Sequence, residues 1–409
     1  MLLESHLTQN LSSDEKKAIE ELKKRTEKDV TPKMLEDPTL FYRFLKARDF
    51  NLKDAEYMLR KNITWRKTYQ VDNILTDYVP PKVFEVSGFY SRIGYDKEGS
   101  PVIYSPIGTL DVKGILASAK LSDIIRYNAL LVEQDIVTLR AQSEKLGKLL
   151  TQITYIYDFD KISFTTATSK KVLDMYVMGA SMFQDNYPER IKAVFIINTS
   201  IYFQMFFSVI KPVLASVLIE KIQVFGREGW QEILLQHIDD DVLPAFLGGK
   251  RTDPDGNPNC NSFVSHGGPI PESYYLTKST KSLSKSPGVK KFIVTRFSSV
   301  DIKFEVKEVG SFIQWEFETK CRDIGFGLYL KTSKEHKLIE LIPKQRIDTS
   351  FESESGMYKC ERTGTYILTF DNTYSWFHSK EIYLKATVVR PEDHVIPVSE
   401  TDIITNTAA

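Results

Sequence analysis

The chain has 409 residues, of which 42% are hydrophobic and 26% are charged, so we expect a folded globular protein with two or more domains. Lys plus Arg and Asp plus Glu both total 54, and a chain without net charge lacks the global basic field that holds nucleic acid. Three widely spaced cysteines form no CxxC pair, and the first thirty residues contain no apolar signal core, which favours a cytoplasmic protein.

Residues 1–75 predict a small all-α bundle. Ser12 followed by Glu15 is a capping-box pair that begins one helix. Asp37 before Pro38 has the pattern of a second helix start with the aspartate as N-cap, and Asn51 caps a third helix.

Short apolar runs alternate with helical segments through residues 76–250, which is typical of an α/β domain. The run at 193–197 indicates a parallel strand buried on both faces. Further strands are expected at residues 102–104, 153–157 and 222–225, and a last helix at residues 228–237.

The most apolar stretch, residues 193–219, is interrupted by polar residues and by Pro212, so it lacks the ~20 apolar residues of a membrane span. Its second part, residues 202–218, predicts one helical region that is apolar on most faces. Such a helix is either a core helix or a gate that covers a lipid and touches a bilayer. The gate candidates are Tyr202, Met205, Phe206, Val213, Leu214, Val217 and Leu218.

Beneath such a gate, a lipid would lie against the central strand and the inner side of the gate. The space must be apolar, because each buried CH₂ group of a lipid contributes about 0.8 kcal/mol. The candidates for a ligand-binding pocket are Ile153, Tyr155, Tyr157, Phe183, Phe203, Phe207 and Ile210. For each of them, ordinary core packing is the alternative.

Turn-forming dipeptides crowd residues 251–291, which we interpret as a linker. Residues 292–391 show an alternation of period two, which predicts a β-sandwich, and the polar residues 392–409 predict a flexible tail. A basic run without acidic residues is either a solvated surface or a contact to an anionic membrane. The run comprises Lys278, Lys281, Lys285, Lys290, Lys291 and Arg296.

The chain contains none of the common catalytic motifs, neither a GxxxxGK[ST] phosphate loop nor an HExxH helix nor a GxSxG turn. Its six histidines never lie four residues apart, so we expect no metal site and no cofactor. Asp158 and Asp160 follow the central strand, where carboxylates usually cap turns. We therefore expect a protein that is not an enzyme.

Seven short motifs occur along the chain: residues 41–48 (FYRFLKAR), 94–96 (GYD), 187–190 (YPER), 210–212 (IKP), 248–249 (GG), 253–258 (DPDGNP) and 370–375 (FDNTYS). Together they resemble the CRAL-TRIO family, and within it the supernatant protein factor (tocopherol-associated protein) branch. The resemblance implies a helical head, an α/β lipid pocket with a gate helix over its mouth, and a C-terminal, jelly-roll-like GOLD sandwich.

The resemblance also implies residues for a lipid headgroup. In family members, phosphatidylinositol is bound by a basic residue of the head and by a hydroxyl-x-x-Lys pattern after the gate. These roles fall on Arg48 and Lys221, with Leu218 where the pattern has threonine. Since leucine cannot donate to a phosphate, the site is weakened. Glu189 is implied as the partner of a gate-side lysine, with a turn carboxylate as the alternative.

We therefore predict a multidomain protein with an all-α N-terminal bundle, an α/β CRAL-TRIO domain and an all-β GOLD sandwich. Its predicted function is lipid binding and transfer, with one phospholipid such as phosphatidylinositol, or a tocopherol-like or isoprenoid-like lipid, enclosed in a gated pocket. The expected partners are this ligand, a transient membrane surface and proteins recruited by the GOLD domain, but no nucleic acid. The alternative is a lipid-responsive regulatory protein whose GOLD domain recruits trafficking or metabolic partners.

Overall fold

The computed structural model describes residues 11–276, 283–320, 323–331, 338–349, 353–375, 378–391, 395–397 and 403–407. Contacts divide the chain into two compact units, Met1–Tyr275 and Leu276–Ala409. The first unit contains a helical bundle and an α/β sheet, and the second is built from antiparallel strands.

The first unit begins with the predicted helical bundle. Ser12 accepts a hydrogen bond from the backbone of Glu15, and the Glu15 side chain accepts one from the backbone of Ser12, so the capping box is present. Asn51 caps the fourth helix through the backbone N–H groups of Lys53 and Asp54. The helices are α1 (Ser13–Thr26), α2 (Pro32–Leu35), α3 (Leu40–Lys46), α4 (Leu52–Thr68), α5 (Ile74–Asp77) and α6 (Val83–Val86).

Asp37 does not cap a helix, and that prediction was wrong. Helix α3 begins at Leu40, with Thr39 in the cap position. The Asp37 carboxylate instead accepts hydrogen bonds from Thr39, Arg43 and Arg190. Burial alone would raise the pKa of Asp37, but the charges of Arg190 and Arg43 outweigh it and hold this pKa well below its ordinary value. The carboxylate therefore joins the N-terminal helices to the α/β part of the unit.

The sheet of the first unit has the order β1-β2-β3-β4-β5. Strand β1 is antiparallel to β2, and the other neighbours are parallel. The strands are β1 (Ser91–Tyr95), β2 (Pro101–Ser105), β3 (Ile153–Asp158), β4 (Ile191–Ile197) and β5 (Ile222–Val224). The helices between and after them are α7 (Val112–Ser118), α8 (Leu121–Leu146), α9 (Phe164–Ala167), α10 (Lys170–Asn186), α11 (Ile201–Ile210), α12 (Ser216–Glu220) and α13 (Trp230–His237). The predicted α/β architecture is confirmed.

Apolar residues cover both faces of this sheet, as expected for a parallel sheet with helices on each side. Tyr155 and Val194 belong to the core cluster on the face that α10 and α11 cover. Ile156 and Phe195 belong to the cluster on the opposite face, which includes Trp230 of α13. The helices α10 and α11 therefore share one side of the sheet.

The segment expected as a linker packs into the first unit up to Tyr275. Cys260, Val264 and Ile270 are buried in the cores of this unit. Glycines and prolines keep most of this stretch out of regular structure, but Cys260 and Val264 still pack against the sheet, and Ile270 packs against α6, α7 and α8. The loop-rich composition indicated that this segment has little regular secondary structure. It gave no sign that the segment packs into the first unit through Cys260, Val264 and Ile270.

The second unit is β-rich, as predicted. Alternate residues of its long strands are buried, for example Ile302, Phe304 and Val306. One sheet has the order β10-β9-β12-β7-β15, and the other has the order β11-β8-β13-β14 with β6 also paired to β13. The strands are β6 (Lys290–Val294), β7 (Ser298–Val306), β8 (Phe312–Thr319), β9 (Asp323–Lys331), β10 (Leu338–Asp348), β11 (Glu354–Lys359), β12 (Gly364–Asp371), β13 (Lys380–Val389), β14 (Val395–Pro397) and β15 (Ile403–Thr407).

Residues 395–397 and 403–407 of the segment expected as a flexible tail form strands. Strand β14 pairs with β13, and strand β15 pairs with β7. Both are antiparallel additions to strands that otherwise offer free backbone groups at that side. The polar composition of the tail gave no sign of this pairing, because backbone hydrogen bonds hold the two strands in place.

Candidate functional site

The segment predicted as one helical region over residues 202–218 is broken in the middle. Helix α11 ends at Ile210, a 3₁₀ turn follows at Lys211–Val213, and α12 begins only at Ser216. Leu214 and Ala215 between them have extended backbone conformations. Proline cannot donate a backbone hydrogen bond and clashes with the preceding turn of an α-helix, so Pro212 explains the break.

Helix α11 carries large apolar side chains on both of its faces. Its inner face, formed by Phe203, Phe206 and Ile210, is buried at helical spacing. Its outer face is uncovered by the rest of the described chain. That face carries four large apolar residues, Ile201, Tyr202, Met205 and Val209, whose exposed fractions are 63%, 38%, 39% and 44%, together with the exposed polar residues Gln204 and Ser208. A helix that served only to close a core would not need four large apolar side chains on its exposed side.

The inner face of α11 meets a group of aromatic rings. The Phe203 ring lies 4.8 Å from that of Phe159 and 5.2 Å from that of Phe207, between ring centroids. Phe206, which the sequence placed among the gate residues, points inward and contacts Phe159 and Tyr176. All seven predicted pocket residues fall in this one cluster, with Tyr157, Phe183 and Phe207 partly accessible at its edge.

Several residues of the cluster are only partly buried. Tyr157 lies in the middle strand of the sheet beneath the helices, yet it is only partly buried. Residues 176–184 of α10 are all partly accessible, although α10 packs against α11 and against the N-terminal helix α4. Close packing would leave such side chains almost without accessible surface. Tyr157 and residues 176–184 therefore retain accessible surface beside β3 and α11.

The break after α11 is attached to α10 by one side chain. The Gln184 amide nitrogen donates to the Val213 carbonyl at 3.0 Å, and the Gln184 carbonyl oxygen accepts from the Ala215 N–H at 3.1 Å. Both partners are backbone atoms on either side of Leu214. Gln184 therefore fixes the chain at the point where the helical region is interrupted.

The residues expected near a lipid headgroup lie at the other end of this segment. The Lys221 Nζ atom lies 3.4 Å from the Glu189 carboxylate, and Lys46 Nζ lies 3.5 Å from the same carboxylate. Leu218 is partly buried in α12, and Arg48 donates to the carbonyl of its neighbour Ala47 at 2.8 Å. The head cation beside Glu189 is thus Lys46, which the motif at residues 41–48 contains but sequence reasoning passed over.

The comparisons with known proteins match this geometry to a family. Residues 85–249 match the CRAL/TRIO domain, and residues 5–61 match the CRAL/TRIO N-terminal domain. The first unit belongs to the CRAL/TRIO family. Membership makes lipid binding or transfer the general activity of the unit, and the matched domain contains β3, α10 and α11.

Curated relatives of this CRAL/TRIO protein include two from Caenorhabditis elegans. Protein ctg-1 is 26% identical over 344 residues, which cover 83% of this chain and 88% of the relative. The CRAL-TRIO domain-containing protein T23G5.2 is 27% identical over 300 residues, which cover 71% of this chain but 40% of the relative. Among solved structures, Sfh5 is 18% identical with a TM-score of 0.45, and the match covers 63% of this chain and 94% of Sfh5.

The N-terminal CRAL/TRIO helices hold the turn at residues 186–190 through consecutive contacts. Arg43 donates to the Pro188 carbonyl at 2.9 Å, and Asn62 donates to Asn186. Arg66 and the Tyr187 hydroxyl both donate to Glu133 of α8, at 2.7 and 3.0 Å. This turn directly follows α10, so the N-terminal helices fix the end of the helix that carries Gln184.

Only part of the basic run between Lys278 and Arg296 lies within the described residues. Lys278 and Lys281 lie outside the described residues, whereas Lys285 and Arg296 are exposed and Lys290 is partly exposed. Lys291 pairs with Glu381 at 3.1 Å. A neighbouring acidic side chain thus meets one cation of the run.

No helix among the described residues is long and apolar enough to cross a membrane. Within the same part of the chain, no group of three His, Cys, Asp or Glu side chains could hold a metal ion.

Proposed function

We propose that the first unit encloses one hydrophobic lipid between β3, α10 and α11, and exchanges it at a membrane when α11 moves. The observation that carries this proposal is that α11 exposes four large apolar side chains on its outer face and buries others on its inner face. The inner face, with Phe203 and Phe207, would contact the lipid, while the outer face, with Ile201 and Val209, would contact the bilayer. An ordinary core helix has no use for the outer face.

The energies favour a bilayer as the surface that covers the outer face. Fully burying one large aliphatic or aromatic side chain contributes about 1.5–3 kcal/mol. Four such side chains are exposed on α11, and Phe164 of α9, which is 55% exposed, lies 6.1 Å from Tyr202 between ring centroids. Even partial burial of this surface supplies several kcal/mol, which is enough to shift a gate between two states.

For the ligand, we propose a phospholipid such as phosphatidylinositol, or a tocopherol-like or isoprenoid-like lipid. A phosphate at the headgroup position would take the place of the Glu189 carboxylate beside Lys221, with Lys46 and Arg48 as further cations on the N-terminal side. Leu218 supplies no hydroxyl group there, so phosphoinositide binding would rest on charge alone. The gate residues Val213, Leu214 and Val217 lie in and after the break, between α11 and Lys221.

For the second unit, we propose that it is the GOLD domain of the supernatant protein factor branch and that it binds protein partners. Its two antiparallel sheets suit a sandwich of this kind. In this proposal the protein is cytoplasmic, associates transiently with membranes, and catalyses no reaction on its ligand. Recruitment of a partner that depends on bound lipid would support the regulatory alternative.

The exchange mechanism can be tested with two matched valines. Val209 on the outer face of α11 is 44% exposed, and Val137 on α8 is 49% exposed. We expect Val209→Asp to slow lipid transfer between vesicles about tenfold or more, because a carboxylate opposes insertion into the interface, while Val137→Asp leaves transfer unchanged. Native mass spectrometry should find one lipid per chain in both variants. Equal transfer rates for the two variants would contradict α11 as the membrane contact, and a lipid-free wild type after exposure to vesicles would contradict lipid carriage altogether.

A further inference from the structure

One hydroxyl group inside the apolar cluster has no hydrogen-bond partner. Tyr176 lies on α10, and its ring meets the Phe206 ring of α11 edge-on with 5.0 Å between centroids. Its hydroxyl oxygen is buried and forms no hydrogen bond to the residues that the structure describes. Folded proteins pair nearly all of their buried polar atoms, because an unpaired hydroxyl destabilises the folded state. An unpaired hydroxyl among the side chains that the proposed lipid would contact indicates that the lipid supplies the missing hydrogen-bond partner.

Tyr176 packs against the apolar cluster beneath α11. Burial raises the pKa of Tyr176 and that of Tyr157 far above the ordinary value of a phenol, and the only other contribution to the shift at Tyr176 comes from Tyr157. Both phenols therefore stay protonated at physiological pH, and the Tyr176 hydroxyl remains a donor.

We propose that Tyr176 donates a hydrogen bond to an uncharged oxygen atom of the bound lipid, beneath α11. This inference rests on the proposed function, since it concerns the ligand of the same space. A neutral phenol without a nearby cation cannot compensate a phosphate, so the headgroup of a phospholipid does not reach this position. The oxygen belongs either to the ester carbonyl of a phospholipid or to the single oxygen of a neutral lipid. The Phe206 ring packs against the Tyr176 ring in this structure, and outward movement of α11 would separate the two.

Two variants isolate the hydroxyl from the ring. Tyr176→Phe removes one oxygen and keeps the ring against Phe206. Tyr57→Phe is the control, because Tyr57 lies on α4 and is 64% exposed. If the Tyr176 hydroxyl serves only the ligand, Tyr176→Phe without lipid should unfold at the same temperature as the wild type or a higher one. A clear fall in this temperature would show that the hydroxyl stabilises the unliganded fold and would overturn the proposal.

Binding is then compared for two pairs of probes that differ in the oxygen. The first pair is 1-octadecanol and octadecane, and the second is dioleoyl phosphatidylcholine and its ether-linked analogue, which lacks the ester carbonyls. Bound lipid is measured by mass spectrometry after gel filtration of the full chain. We expect the wild type and Tyr57→Phe to prefer the oxygen-bearing member of one pair about tenfold, which corresponds to ~1.4 kcal/mol, and Tyr176→Phe to lose this preference.

Preference within the first pair identifies a neutral lipid as the source of the oxygen, and preference within the second identifies a phospholipid ester. The inference is overturned if Tyr176→Phe discriminates within both pairs as the wild type does, or if the wild type discriminates within neither pair. In both cases the protein still binds lipid and the proposed function stands. If the wild type binds none of the four probes, the proposed function fails as well.

Discussion

Replacement of Gln184 by methionine tests whether one side chain holds the proposed gate segment, residues 202–218, closed. Methionine has a similar length but neither of the two hydrogen-bonding groups that contact Val213 and Ala215 at 3.0 and 3.1 Å. Each lost hydrogen bond is expected to cost about 0.5–1.5 kcal/mol. We call the two hydrogen bonds of Gln184 the clamp. Its Ala215 side is exposed, so water replaces part of the lost hydrogen bonding, and we expect a total cost of about 1.5 kcal/mol.

A change of this size shifts the balance between closed and open gate about tenfold, because each 1.4 kcal/mol is a factor of ten in an equilibrium constant. Amide hydrogen exchange should therefore become about tenfold faster at residues 211–216 in Gln184→Met, while β3 keeps its protection. Release of a fluorescent lipid into water should accelerate by a similar factor, since the gate opens more often without a membrane.

The control for this prediction is Gln134→Met. Gln134 is an exposed glutamine of helix α8, at a distance in sequence from the gate segment. It should leave both hydrogen exchange and lipid release unchanged. If Gln184→Met also leaves exchange at residues 211–216 unchanged, the clamp does not restrain the segment, and the break at Pro212 alone sets its position.

Three further predictions concern the charged groups. Arg43→Met should lower the free energy of unfolding of the first unit by about 3–5 kcal/mol, because it leaves the buried Asp37 carboxylate with less compensating charge. Lys46→Met should change it by only about 0–1 kcal/mol, because Lys46 is 47% exposed. Urea denaturation measures both changes. Because the pKa of Asp37 is depressed in the folded state, its carboxylate stabilises the fold above the unfolded pKa of about 3.9, and this stabilisation declines as the pH falls below that value. The wild type should therefore lose stability below pH ~4 more steeply than Asp37→Asn. Lys221→Met should weaken binding of phosphatidylinositol about tenfold and leave neutral lipids unaffected, as measured by competition in mixed vesicles; equal losses for both lipid classes would exclude a headgroup role.

Much of the fold could be predicted because burial repeats locally along the chain. Ile302, Phe304 and Val306 alternate with polar neighbours, and all three lie in the core of the second unit. The apolar run before Asn198 lies in β4, as expected for a strand between two layers of helices. In both cases the pattern of a few neighbouring residues decides the structure, so no distant contact is needed to infer it.

The predictions that were wrong concern positions where contacts between residues far apart in the sequence decide the structure. Asp37 has the local pattern of an N-cap, but its carboxylate is held by Arg190, a residue 153 positions away. The clamp of Gln184 joins backbone atoms 29 and 31 residues away, and backbone atoms leave no trace in a sequence. The break at Pro212 was missed because the residues on both sides are equally apolar. The residue of the site that spacing could have found is Tyr176, which lies seven positions before Phe183 on the same helix.

In the proposed mechanism, these contacts make α10 the fixed wall against which the gate moves. Its C-terminal end continues into the turn whose Pro188 carbonyl is held by the buried Arg43, while Lys46 adds only an exposed ion pair at Glu189. The buried contact is the stronger of the two, since exposed ion pairs contribute little. The N-terminal helices therefore stabilise the wall rather than take part in opening. Along this wall, Gln184 determines where the gate segment is attached, and Tyr176 lies where the inner face of the gate covers it.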